Sequence, residues 1–222
     1  MSAARVTTMV LALLLSSVMP GVVLGGKNAG GALIVHADDT VIYSSGGDYC
    51  GRDLSLPASC SAARTRVNPS EDGPILVWII AAFSSNASPE VTGVRFGIEH
   101  TLSSIAIRGW QACDQKWLEI PEEDFPSTDT GTIIAIPSGP IRETFFPIYW
   151  FAINGESGDT FATAADPRAG DAEFSDDGNP PAVDRISRFG HVGWGVAGAN
   201  QCPPSSIEIR SSSWGGVKAG YR

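Results

Sequence analysis

The chain has 222 residues, a formal net charge of −9 at pH 7, 43% hydrophobic residues and 18% charged ones. An acidic balance of this size argues against nucleic acid and anionic lipid surfaces as partners, because both repel it. The length suits one domain with a sizeable core, and beyond the N-terminal region no apolar run approaches the roughly 20 residues that a membrane crossing needs.

Residues 1–25 hold a single charged side chain, Arg5, then the apolar run Met9 to Leu15 and a small-residue ending at Val23 and Gly25. That order reads as a secretory signal cleaved after Gly25, with Gly21 a second acceptable position. Export implies an oxidising compartment, so Cys50, Cys60, Cys113 and Cys202 are expected to form two disulfides. Of the three pairings, Cys50 with Cys60 and Cys113 with Cys202 is favoured, because Gly51, Pro57 and Ser59 let the short loop turn back. Zinc is disfavoured by the lack of a C-x-x-C pair.

Gly26 to Gly31 reads as a mobile leader. Leu33 to Val35 and Val41 to Tyr43 flank Asp38-Asp39-Thr40 and predict a first hairpin. The run from Ile75 to Phe83 has no polar side chain and follows the turn signal Glu71-Asp72-Gly73-Pro74. Its β-branched and aromatic content predicts a central strand buried on both faces. Val94, Phe96 and Ile98 alternate with Arg95, Gly97 and Glu99, which predicts a strand with one wet face. Ile105 with Ile107, the segment around Trp117, Leu118 and Ile120, and Thr132 to Ile136 are further strands. Phe145 to Ile153 is apolar on both parities, and Pro147 within it predicts a bulge or a sheet edge. Thr160 to Ala164, Val183 to Phe189 and His191 to Val196 complete the set. No amphipathic helix appears, and the spacing of turn signals predicts an all-β chain folded as an antiparallel, jelly-roll-like β-sandwich. The division is a signal over 1–25, one sandwich domain over 26–202, and a Pro/Ser linker with a basic tail over 203–222.

Motifs for chemistry are sparse. Gly193 to Gly198 fits G-x-G-x-x-G literally, but Pro203 and Pro204 leave no room for the helix that a dinucleotide site needs. Gly155-Glu156-Ser157-Gly158-Asp159 lacks the last glycine of a nucleophile elbow. His36, His100 and His191 share no metal-ligand spacing. Asp171, Glu173, Asp176 and Asp177 cluster in what reads as a loop and are the candidate ligands for calcium, which takes six to eight oxygens from such segments. Glu99 with Glu143 or Glu173 would be the carboxylates of a glycosidase, although nothing local pairs them. Trp110, Trp117 and Trp194 neighbour polar residues or glycine and are the candidate platforms for stacking sugar rings.

Leu33-Ile34-Val35-His36, Asp48-Tyr49-Cys50 with Cys60, Val77-Trp78 with Ala82-Phe83, Phe174-Ser175-Asp176-Asp177 and the ending Trp214-Gly215-Gly216-Val217-Lys218-Ala219-Gly220-Tyr221-Arg222 stand in an order that resembles uncharacterised secreted β-rich proteins of environmental, uncultured bacteria. The resemblance implies an exported β-rich body and brings no catalytic residues. The ending looks like a short terminal tag for sorting or attachment. The expected function is non-catalytic binding of a glycan or a surface protein outside the cell. The alternatives are a structural subunit of an extracellular assembly, in which the leader or tail adds a strand to a neighbour, and a glycan-acting hydrolase.

Overall fold

The computed structural model describes residues 25–50, 56–102 and 104–204. Residues 1–24 of the expected signal and the tail from residue 205, including the ending at Arg222, lie outside the described residues. Thirteen strands are present among them: β1 Ala32–Asp38, β2 Arg66–Val67, β3 Ile75–Ala82, β4 Gly93–His100, β5 Ala106–Ala112, β6 Leu118–Pro121, β7 Thr130–Ala135, β8 Phe145–Asn154, β9 Thr160–Ala164, β10 Ala172–Ser175, β11 Val183–Ile186, β12 Gly190–Trp194 and β13 Ala199–Asn200. They form a β-sandwich whose pairings are antiparallel except for β2 against β12.

The smaller sheet runs β1-β3-β8-β5. All eight residues of β3 are buried, because this sheet is covered on both faces. Val77, Ile79, Ile148 and Phe151 face the larger sheet and join Val94, Phe96, Ile134, Phe161 and Phe174 in the main core. Leu76, Trp78, Ile80 and Trp150 face the other way, into a second apolar layer roofed by Val41, Tyr43, Tyr49, Cys50, Leu56 and Cys60. Each such side chain contributes roughly 1.5–3 kcal/mol by leaving water. Pro147 falls where the β3–β8 register slips between Ile79 and Ile80, the expected bulge, which accommodates a residue without an N–H.

The roof explains two departures from the sequence reading. Val41 to Tyr43 does not return as a hairpin strand; β1 pairs with β3 instead, and the chain after Asp38 crosses onto the outer face of the smaller sheet. The disulfides are Cys50–Cys113 and Cys60–Cys202, with Cα separations of 5.0 and 5.7 Å. Cys113 follows β5, one edge of the smaller sheet. Cys202 follows Asn200, whose side-chain amide donates to the Val35 carbonyl of β1, at the other edge. Cys50 and Cys60 are thus each drawn to a different distant partner, at the ends of β5 and β13, rather than to each other.

Gly26 to Gly31 is not a mobile leader. Asn28 is buried; its side chain donates to the Glu90 and Ser175 carbonyls and accepts from the Glu90 N–H, which fixes the turn. The larger sheet centres on β4, which has β7 on one side and, on the other, β10 beside its first half and β9 beside its second. Where β9 gives way to β10 the chain passes so close to Gly97 that a Cβ there would stand 2.3 Å from the Ala165 carbonyl oxygen.

Candidate binding surface

The outer face of the larger sheet follows from its register. Val94, Phe96 and Ile98 point into the core, so Gly93, Arg95, Gly97 and Glu99 point outward. Across the strands, Leu118, Ala135, Gly93, Ser175 and Val183 stand opposite one another in a single row. Five strands at about 4.8 Å spacing make this row roughly 19 Å wide. Its middle is floored by small residues and its ends carry large aliphatics. A second row two residues along holds Ile120, Ile133, Arg95, Glu173 and Arg185. Leu118, Ile120, Ile133 and Val183 are 58%, 54%, 37% and 59% exposed. Contiguous exposed apolar patches, more than singly exposed residues, mark interaction sites on proteins.

Charges are fixed around the stripe. Arg95 Nη2 donates to Asp171 Oδ1 at 2.7 Å and lies 3.0 Å from Glu173 Oε2. Beneath the stripe, Tyr149 donates its phenol hydrogen to Glu119 Oε1 at 2.7 Å, and Thr132 donates to the same oxygen at 3.3 Å. Burial, then the Glu119 carboxylate, pushes the Tyr149 phenol well above the ordinary tyrosine range. The edge strand β6 is short. Its alternate residues Leu118, Ile120 and Glu122 turn their backbone groups toward β7, so Pro121, which has no N–H, sits on the free edge and discourages strand addition there.

The candidate calcium ligands do not share one centre. Asp171 and Glu173 meet at Arg95; Glu173 lies in strand β10, not in a loop. Asp176 is buried, and its Oδ1 accepts the N–H groups of Gly178 and Ala182 at 2.9 and 2.8 Å. Asp177 pairs with Lys27 at 3.2 Å and Arg142 at 3.7 Å. Its hydrogen bond with Glu90, and then Lys27, hold its carboxyl below the usual aspartate range. Among the described residues, no group of three or more His, Cys, Asp or Glu is arranged to hold a metal ion.

The three tryptophans are also dispersed. Trp194 is fully buried in the main core, which corrects its reading as a platform: β12 runs between β9 and the β2–β13 side of the sheet and turns this indole inward. Trp117 is half-buried against the same core, and Trp110, on the edge strand β5, is 44% exposed. Glu99 lies four residues along β4 from the Arg95–Glu173 row, about 13 Å at the backbone, so Glu99 and Glu173 do not face one another as an acid–base pair. Gly155 to Asp159 is a turn in which buried Asp159 accepts the Glu156 N–H at 2.6 Å.

No family model matches the sequence, and no curated protein matches it. Among solved structures the chain is similar to the cohesin module of a Clostridium perfringens family 33 glycoside hydrolase, at 10% identity and a TM-score of 0.44 over 59% of this chain and 90% of that one. It is also similar to the sixth cohesin of Acetivibrio cellulolyticus scaffoldin B, solved with a Cel5 dockerin mutant, at 13% identity and a TM-score of 0.40 over 73% and 99%. The seventh ScaB type I cohesin of Pseudobacteroides cellulosolvens matches at 7% identity and a TM-score of 0.34 over 65% and 90%. Values this low carry no argument about what the present chain binds.

Proposed function

We propose that the chain is an exported, non-catalytic binding module that holds a protein partner on the outer face of its larger sheet. The observation that carries this reading is the exposed stripe of Leu118, Ile120 and Ile133 on adjacent strands, continued to Val183 by a floor of small residues. Branched aliphatics pack into apolar protein surface, whereas a sugar ring stacks on a flat aromatic. Both disulfides fit an oxidising compartment, and among the described residues no helix is long and apolar enough to cross a membrane. Kinship with uncharacterised secreted proteins of environmental bacteria belongs to the same proposal.

The test compares the oxidised protein with an Ile120→Asp/Ile133→Asp variant for capture of a cell-surface protein fraction and of insoluble polysaccharides. Desolvating each isoleucine supplies roughly 2 kcal/mol, so the variant binds the protein ligand at least about 100-fold more weakly. Retention on polysaccharide that the variant keeps would replace this reading with glycan binding.

A further inference from the structure

Asp184, on the inward side of β11, is buried, and its carboxylate is held by backbone nitrogen alone: Oδ1 accepts from the Gly26 N–H at 2.7 Å and Oδ2 from the Asn28 N–H at 2.9 Å. None of the ion pairs among the described residues reaches it. A buried carboxylate is costly without a cation, and two neutral amides compensate it only in part. One of those nitrogens belongs to the residue that a cut after Gly25 would make the first of the chain.

The surroundings fix that nitrogen in place. Buried Asn28 anchors the turn to Glu90 and Ser175, the Ala29 N–H donates to the Gly26 carbonyl at 3.1 Å, and Gly30 closes the turn at φ +78°. A Cβ on residue 26 would stand 2.4 Å from Asp184 Oδ2 and 2.9 Å from its Cγ, so a larger residue there would displace the carboxylate. Gly25, by contrast, is exposed.

We propose that the Gly25–Gly26 peptide bond is the processing site of this chain, and that the α-ammonium group it releases seats on Asp184. In the step, water adds to the Gly25 carbonyl and the C–N bond breaks. Gly25 leaves as a carboxylate, and the Gly26 nitrogen takes up a proton to become –NH3⁺. The neutral donor on Asp184 thereby becomes a charged one, and removal of the preceding segment strengthens the contact that ties the start of the domain to β11.

N-terminal sequencing of the exported protein is expected to begin at Gly26; another start overturns the proposal. In the chain beginning at Gly26, the α-amine is expected to titrate about one unit or more above its ordinary 7.7–8.0, read by pH-dependent reductive methylation, and to return to that range in Asp184→Asn. Nα-acetylation should lower the melting temperature of the wild type by several degrees and that of Asp184→Asn by about one degree or less. Equal losses would overturn the ion pair. If Asp184→Asn fails to fold, a chain carrying one alanine before Gly26 displaces the amine by a residue. An ordinary amine pKa and a lower melting temperature in that chain support the proposal, whereas values matching the Gly26 chain refute it.

Discussion

Replacing Cys50 and Cys113 together by alanine removes the bridge that fastens the roof of the smaller sheet to the end of β5. The bridge closes a loop of 63 residues, and loop-closure entropy assigns such a link about 4 kcal/mol, a large share of the 5–15 kcal/mol that domains of this kind possess. Cys60–Cys202 still holds the other side of the roof, so the variant folds. Guanidinium unfolding should move to a midpoint lower by roughly 1 M, given slopes of about 4 kcal/mol per M. Trp78 reports the same event, because its indole N–H donates to the Tyr49 carbonyl at 2.5 Å within the roof. Its emission should shift to the red at denaturant concentrations below the main transition. A midpoint within 0.2 M of the wild type (about 1 kcal/mol or less at that slope), with unchanged emission, would refute the assignment of Cys50–Cys113 as the fastener.

Three further outcomes follow from Tyr149, His36 and the acidic stretch near Asp171. The folded state holds the Tyr149 phenol above its unfolded value of about 10, so its contribution to stability is complete below pH 10 and is lost as pH rises beyond it; Tyr149→Phe should flatten the alkaline limb of a stability–pH curve. His36, whose Nδ1 accepts the Arg64 N–H at 2.9 Å, titrates below the ordinary histidine range because of burial, with Asp38 opposing the shift. Its contribution is therefore present above about pH 6.5 and lost as pH falls through the lower folded value, which acid titration of the melting temperature reads directly. Since Asp171, Glu173, Asp176 and Asp177 already serve arginine, lysine and backbone N–H partners, the melting midpoint should be the same in calcium and in EGTA; a rise in calcium would reassign them.

The layers of the fold were legible because hydrophobic pattern reports burial. An unbroken apolar run from Ile75 to Phe83 means two covered faces, and the alternation at Val94, Phe96 and Ile98 means one. What covered the second face of β3 was not legible. Val41, Tyr43 and Tyr49 look like strand or loop residues locally, and only the three-dimensional path across the sheet makes them a roof. The disulfide pairing failed for the same reason: closeness in sequence between Cys50 and Cys60 is undone by a segment that crosses the sheet. The acidic stretch near Asp171 concealed strand β10, whose pairing with β4 and β11 outweighs the low strand propensity of aspartate and glutamate. The exposed stripe was hidden because Leu118, Ile120 and Ile133 are apolar like their inward neighbours Ile134 and Phe96. Sequence periodicity names a strand's two faces without saying which one water meets.

The most direct test of the binding face places a photo-cross-linking amino acid at Ile133, with a control at exposed Ser70 in the β2–β3 connection. Irradiation with a cell-surface protein fraction should give one discrete adduct from position 133 and none from position 70. Excess unlabelled wild-type protein should compete it away, and excess Ile120→Asp/Ile133→Asp protein should not. Adducts of equal yield at both positions, or an adduct at 133 that the double variant also removes, would contradict a partner seated on the outer face of the larger sheet.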